Sequence, residues 1–208
     1  MSAETNKTLG GIGAILMLVG FIPFAAFAGI VSFVGFILVL IAMHGFAKTY
    51  NENKIFSNVL YSIVACVVGV AVAGSVAVVA VLTTLKDFLY QIYPSWNGNW
   101  SSLSGLTPIT SNLNVSAILP FIADVIAILA IVWITVILVA FFLRKSLKTL
   151  STKTNVSLFS TAALLLLIGA FLTIVLIGFL LIWVAILLIA IAFFQIKTQP
   201  EQQTTTPM

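Results

Sequence analysis

Apolar residues run through this chain in long blocks, and the polar residues between them come in short clusters. Residues 8–47, 55–85, 88–123, 125–143 and 154–196 hold no Asp, Glu, Lys or Arg. A helix needs about 20 apolar residues to cross a bilayer, so most of these blocks suit one span or two. The first block is 40 residues long. As one straight helix it would measure about 60 Å at 1.5 Å per residue, twice the thickness of the hydrocarbon. It must fold back, and Pro23 and Gly29 bracket the turn, because proline and glycine interrupt helices. The last block is also too long for one crossing and divides near Thr173. The pattern predicts an all-α integral membrane protein of six transmembrane helices, at about 9–22, 30–47, 56–85, 117–143, 156–172 and 176–196. Two short helical hairpins, N- and C-terminal, flank a central pair. The first span is short, which implies bilayer thinning or burial against neighbours.

The polar clusters are the connections. Asn6-Lys7-Thr8 reads as the cap of the first helix, and residues 48–54 (KTYNENK) as a loop. Residues 86–116 are the long hydrophilic connection, the predicted extracellular loop. Lys86 and Asp87 mix there with Tyr90, Tyr93, Trp96 and Trp100, as helix ends do at a membrane interface. Pro94-Ser95-Trp96-Asn97-Gly98-Asn99 is rich in turn formers. Residues 144–155 form a basic loop, and residues 197–208 a polar, flexible tail.

The two double blocks resemble each other. A shift of 149 residues lays Leu9 on Leu158, Ala14 on Ala163, Gly20 on Gly169, Gly29 on Gly178 and Lys48 on Lys197. Both copies start on the same side, so the pattern is that of a parallel repeat.

Composition and charge then fix the class and suggest the threading. The chain is 62% hydrophobic and 7% charged, against roughly 25% charged residues in soluble domains. It cannot cover a water-facing surface. The net charge of +4 is no sign of a nucleic-acid partner; what matters is where the positive residues lie. Six spans with the N-terminus inside place Lys7, Lys48, Lys54, Arg144, Lys145, Lys148, Lys153 and Lys197 in the cytoplasm, and only Lys86 outside. That asymmetry is the positive-inside pattern of a multi-pass cell-membrane protein with both termini cytoplasmic. The run ending at Ala26-Phe27-Ala28 imitates a signal peptide. Glu4 offsets Lys7 and the repeat gives the stretch a structural role, so it is read as a retained span.

Candidate chemistry is sparse. Asp124 is the one acid inside an apolar run and a candidate ion or proton site, since an intramembrane charge costs about 2.5 kcal/mol or more. It also lies one turn past Pro120, near a helix N-terminus that favours a negative charge, which is the structural alternative. Arg144, Lys145, Lys148 and Lys153 are candidate contacts to anionic lipid, or a topogenic signal and nothing more. Ala65, Gly69, Ala73 and Ala77 repeat every four residues and form a candidate helix-packing face. That face serves either the chain's own bundle or a homo-oligomer. Asn99 and Asn114 begin Asn-x-Ser acceptors for glycosylation.

Single residues of each reactive type exclude the common sites. Lone Cys66 makes no intrachain disulfide, and lone His44 has no nearby Cys or acid with which to hold a metal. Gly10-Gly11-Ile12-Gly13 lacks the lysine of a P-loop and the spacing of a dinucleotide fingerprint, which leaves close helix packing as its use. No Ser/His/Asp set falls on one side of the membrane, so no catalytic residue, cofactor or metal is expected. The chain reads as a non-enzymatic membrane component acting through association with itself, with lipid or with an unidentified membrane partner. A small-solute transporter or channel component using Asp124 is the alternative.

Several stretches carry a resemblance. They are Lys7-Thr8-Leu9-Gly10-Gly11-Ile12-Gly13-Ala14, Gly20-Phe21-Ile22-Pro23-Phe24, Tyr50, Ile55-Phe56-Ser57-Asn58-Val59-Leu60-Tyr61 and Ile191-Ala192-Phe193-Phe194. They are similar to an archaeal multi-spanning membrane family, domain of unknown function 996. The resemblance implies an archaeal cell membrane and supplies no activity, substrate or site residue.

Overall fold

The computed structural model describes residues 2–20, 27–109 and 114–197. Among them there are α-helices and short 3-10 turns and no strand. The α-helices are α1 (Ala3–Gly20), α2 (Ala28–Thr49), α3 (Lys54–Leu82), α4 (Thr84–Ile92), α5 (Val115–Thr154), α6 (Leu158–Leu172) and α7 (Ile177–Gln195). Among the described residues, five stretches are long and apolar enough to cross a membrane: Gly29–Thr49, Lys54–Ile92, Ile118–Thr154, Leu158–Val175 and Ile177–Gln195. The predicted first span is the difference. The opening turns of α1 carry Glu4, Asn6 and Lys7, so its apolar part is short for a crossing. Pro23 and the tail beyond Lys197 lie outside the described residues.

The chain divides into two compact units, Met1–Val64 with Ile137–Met208, and Ala65–Val136. In the first unit, α1 packs on α2 and on α7, and α6 packs on α7. The glycines of the N-terminal motif make these approaches possible. A Cβ on Gly10 would stand 2.7 Å from the Phe193 ring, one on Gly11 2.5 Å from Phe194, and one on Gly13 2.6 Å from the Gly35 carbonyl oxygen. Phe193 is fully buried and gathers Phe46 (6.0 Å, stacked) and Phe159 (5.1 Å, edge-on) into one core. Lys7 Nζ donates to the Ile196 carbonyl at 2.9 Å and so satisfies the C-terminal end of α7.

The expected cap Asn6-Lys7-Thr8 is corrected. α1 starts at Ala3, and the Ser2 hydroxyl accepts from the Thr5 amide at 3.2 Å, the ordinary work of an N-cap. Asn6 instead lies inside, fully buried beside Gly45. Neither of its carboxamide atoms has a hydrogen-bond partner among the described residues.

The loop expected at residues 144–155 is a second correction. Arg144 to Thr154 continue α5 for three more turns. Nothing in the sequence breaks the helix until Asn155, which takes φ 54°, a left-handed value that asparagine tolerates. Ser146, Leu147, Leu150 and Ser151 form the buried side of this extension. Ser146 Oγ donates to the Ile55 carbonyl at 2.5 Å, and Ser151 Oγ to the Val156 carbonyl at 2.9 Å. The turn between α2 and α3 does follow the expected loop. Asn51 sits at φ 48°, Asn51 N–H donates to Lys48 and Glu52 N–H to Ala47, the paired bonds of a Schellman ending.

In the second unit, α3 ends at Leu82 and α4 begins at Thr84. The hydroxyls of Thr83 and Thr84 bond back to the Val79 and Ala80 carbonyls at 2.8 and 3.1 Å, a pattern that bends helices. Residues 86–116 were expected as a loop, and part of them is ordered structure. α4 runs to Ile92, a 3-10 turn covers Trp100–Gly105, and Trp96 is buried between Tyr90 (5.0 Å) and Trp100 (5.3 Å). Its indole N–H donates to the Asn99 carbonyl at 2.7 Å, so the aromatic body is buried while its polar atom is satisfied. Long apolar faces of α3 remain open: Val67 is 63% and Val70 64% exposed. Such faces suit hydrocarbon and not water.

The aligned glycines of the two halves are not used alike. Gly178 lies against Gly169, whose Cβ would be 3.0 Å from the Gly178 carbonyl oxygen, while Gly29 has nothing within 4 Å among the described residues. The N-terminal pair crosses at Gly13 and Gly35 instead.

Candidate functional site

Four basic side chains of the first unit, Lys54, Arg144, Lys145 and Lys148, gather where the start of α3, the last turns of α5 and the start of α6 meet. Arg144 and Lys148 are four residues apart, hence on one face of α5. With Ser160, Thr161, Ala163 and Leu164 of α6 they line a cavity of about 200 Å³. On the other side, Lys145, Lys148, Thr149 and Thr152 face Lys54 and Asn58 of α3 across a second cavity, of about 360 Å³. Lys148 belongs to both, and no acid among the described residues lines either one. Two cations and two hydroxyls around one small cavity make a site for an anion. Arginine offers a planar fork of donors that fits phosphate, and lysine adds a point charge.

The four predicted basic residues do not act alike. Lys153 points away to Glu52, at 3.3 Å. Lys145 lies over the Phe141 ring, 4.4 Å from its centre, a cation–π contact. Arg144 and Lys148 remain with the α6 cavity. Sequence reasoning missed Lys54, Asn58, Ser160 and Thr161 as co-lining residues. Their distance along the chain hides them, although Leu147 and Leu150 among the charges were a signal that the run is an amphipathic helix.

The other candidates stand elsewhere. Asp124 Oδ2 accepts from Thr84 Oγ1 at 2.7 Å, and Phe121, one turn before it, stacks on Phe88 at 5.0 Å. The small-residue strip faces inward in part. Ala73 is buried, Ala65, Gly69 and Ala77 are half-buried, and a Cβ on Gly69 would overlap Thr135 of α5. Asn99 and Asn114 are exposed, and each carboxamide oxygen accepts from the amide and the hydroxyl of the serine two residues on. His44 packs edge-on against Phe56 at 4.7 Å, and Cys66 is exposed. Tyr50 lies in the turn after α2, and burial raises its phenol above the usual tyrosine range.

Fold and site together define an all-helical protein with helices fit to cross a membrane and a basic cluster at the ends of three of them. Residues 31–187 match the family described as Protein of unknown function (DUF996), and the chain belongs to that family. It is 31% identical over 196 residues, 94% of each chain, to the uncharacterized protein MJ1644 of Methanocaldococcus jannaschii. No solved structure matches it.

Proposed function

We propose that the protein is a six-span component of the cell membrane, non-enzymatic, with both termini in the cytoplasm, that works by associating with anionic lipid of the inner leaflet. The observation that carries this reading is the joining of Lys54, Arg144, Lys145 and Lys148 around two cavities free of acid. Each basic residue near an anionic surface contributes about 1 kcal/mol. The short α1 is counted as a sixth span in this reading, and its packing on α2 at Gly13 and Gly35 supports that. Self-association through the small-residue strip is less favoured, since Thr135 of the same chain covers Gly69. A transporter built on Asp124 must account for a carboxylate already held by Thr84.

Orientation is the testable core. In a Cys66→Ala background, single cysteines replace exposed Ser104 and exposed Ser157. On intact cells a membrane-impermeant maleimide should label Ser104→Cys at once and Ser157→Cys only after permeabilisation. The reverse order overturns the proposed threading.

A further inference from the structure

We infer that the cavity between α5 and α6 is a discrete site for the phosphate of one anionic phospholipid, and not merely part of a positively charged surface. The inference rests on the lipid-association reading above and names where the headgroup sits. Arg144 and Lys148 supply charge from one helix, and Ser160 supplies a hydroxyl from the other, around about 200 Å³. Thr161 also lines the cavity, with its hydroxyl donating to the Ser157 carbonyl at 3.5 Å. A phosphate accepts from Arg144, Lys148 and Ser160 without needing a metal or a proton transfer. The cavity is polar on one side and apolar on the other, where Ala163 and Leu164 line it.

The apolar side continues out of the cavity. Along α6 after Thr161, Phe171 is 49% exposed, and so are the evenly spaced Leu164, Ile168 and Leu172, at 46%, 41% and 37%. Their spacing of four keeps them near one face of the helix, while the opposite face, with Phe159, Ala162, Leu166 and Ala170, is buried. A cationic, hydroxyl-lined cavity that opens onto an apolar helix face fits a molecule with a phosphate at one end and a hydrocarbon chain behind it. A free phosphate would use the cavity and leave the stripe unexplained. The second cavity, about Lys54 and Lys145, has no such role in the inference, because Lys145 is engaged by Phe141.

The experiment uses the full chain in phosphatidylcholine bicelles, with phosphatidylglycerol titrated in, and reads the shift in thermal midpoint as apparent affinity. Wild type should be stabilised by phosphatidylglycerol and not by inorganic phosphate at the same concentration. Arg144→Gln and Lys148→Gln should each weaken the apparent affinity about fivefold, the equivalent of one lost basic contact. Arg144→Lys should keep part of it, and Lys153→Gln, whose lysine pairs with Glu52, should keep nearly all. Midpoints in phosphatidylcholine alone report whether each variant is folded; if Arg144→Gln is not, Arg144→Lys and Lys148→Gln carry the comparison. Equal losses in Arg144→Gln, Lys148→Gln and Lys153→Gln would overturn the discrete site and leave the association reading standing. Equal stabilisation by inorganic phosphate would overturn the lipid as occupant. No preference for phosphatidylglycerol in wild type sinks both readings.

Discussion

Gly13→Ala tests a close helix approach in the first unit. The added methyl carbon would lie 2.6 Å from the Gly35 carbonyl oxygen, 2.9 Å from Leu38 Cβ and 2.9 Å from the Val39 amide nitrogen. Carbon atoms rest at about 3.5–4.0 Å from their neighbours, so α1 and α2 must separate by about 1 Å. Two of the three obstacles are backbone atoms, which cannot swing aside. Overpacking of this kind costs about 1–3 kcal/mol. Replacing glycine by alanine inside a helix returns about 0.8–1.0 kcal/mol, which leaves a net loss of about 0–2 kcal/mol and a deficit of about 1–3 kcal/mol against an unhindered glycine-to-alanine change.

The clash is reciprocal, since a Cβ on Gly35 meets the Gly13 carbonyl oxygen at 2.5 Å. Gly35→Ala should therefore cost a similar amount. The double variant should cost less than the two singles added, because helices already parted accept the second methyl more easily. Gly74→Ala is the control: nothing stands within 4 Å of its Cβ, and stability should hold or rise by up to about 1 kcal/mol. The assay is reversible unfolding in mixed micelles by rising SDS fraction, followed by circular dichroism. A Gly13→Ala variant as stable as Gly74→Ala, or strictly additive singles, would refute the reasoning.

Four further outcomes follow from other contacts. Gly69→Ala should destabilise, and adding Thr135→Ala should recover part of the loss, because it removes two of the three atoms in the way; the same unfolding assay reads both. Thr84→Val and Asp124→Asn should show a coupling of about 1–2 kcal/mol in a double-mutant cycle, from the 2.7 Å bond between them; independence would leave Asp124 without its structural role. Asn6→Leu should raise the unfolding midpoint, since it removes a buried unpaired carboxamide, whose desolvation costs about 1–3 kcal/mol; a lowered midpoint counts against that account. Burial raises the Tyr50 pKa from 10.0, so the folded state favours the protonated phenol. Its contribution is whole below the unfolded value and is lost as pH rises through the folded one; alkaline unfolding curves should show that loss in wild type and not in Tyr50→Phe.

What the sequence determined by itself is the class. Uncharged blocks, a charge content far too low for a water-facing surface and basic residues confined to a few connections are additive properties. Each residue brings its own transfer free energy to water or hydrocarbon, wherever its neighbours come to lie. The same local logic located the break at Thr173, where a 3-10 turn and a left-handed Leu176 separate α6 from α7. It also assigned Gly10, Gly11 and Gly13 to close packing. It could not say against what.

Partners are decided by segments far apart in the chain, and these only the tertiary structure supplied. Residues 144–155 read as a loop because a charged run between two apolar blocks looks like a connection outside the bilayer. Residues 144–154 form a helix because Ser146 reaches Ile55, and Leu147 and Leu150 find a buried side. The every-fourth small residues suit the chain's own bundle, with a second copy as the alternative, and the structure lays Thr135 of the same chain on Gly69. Gly29 matches Gly178 in the repeat, yet among the described residues only Gly178 has close neighbours, since a shared letter does not carry a shared neighbour. Arg144 and Lys148 became a candidate site when Ser160 and Thr161 closed the other side of their cavity. Hydrophobic transfer is local and can be summed along a sequence. The meeting of distant side chains depends on how whole helices pack, and no window of residues contains it.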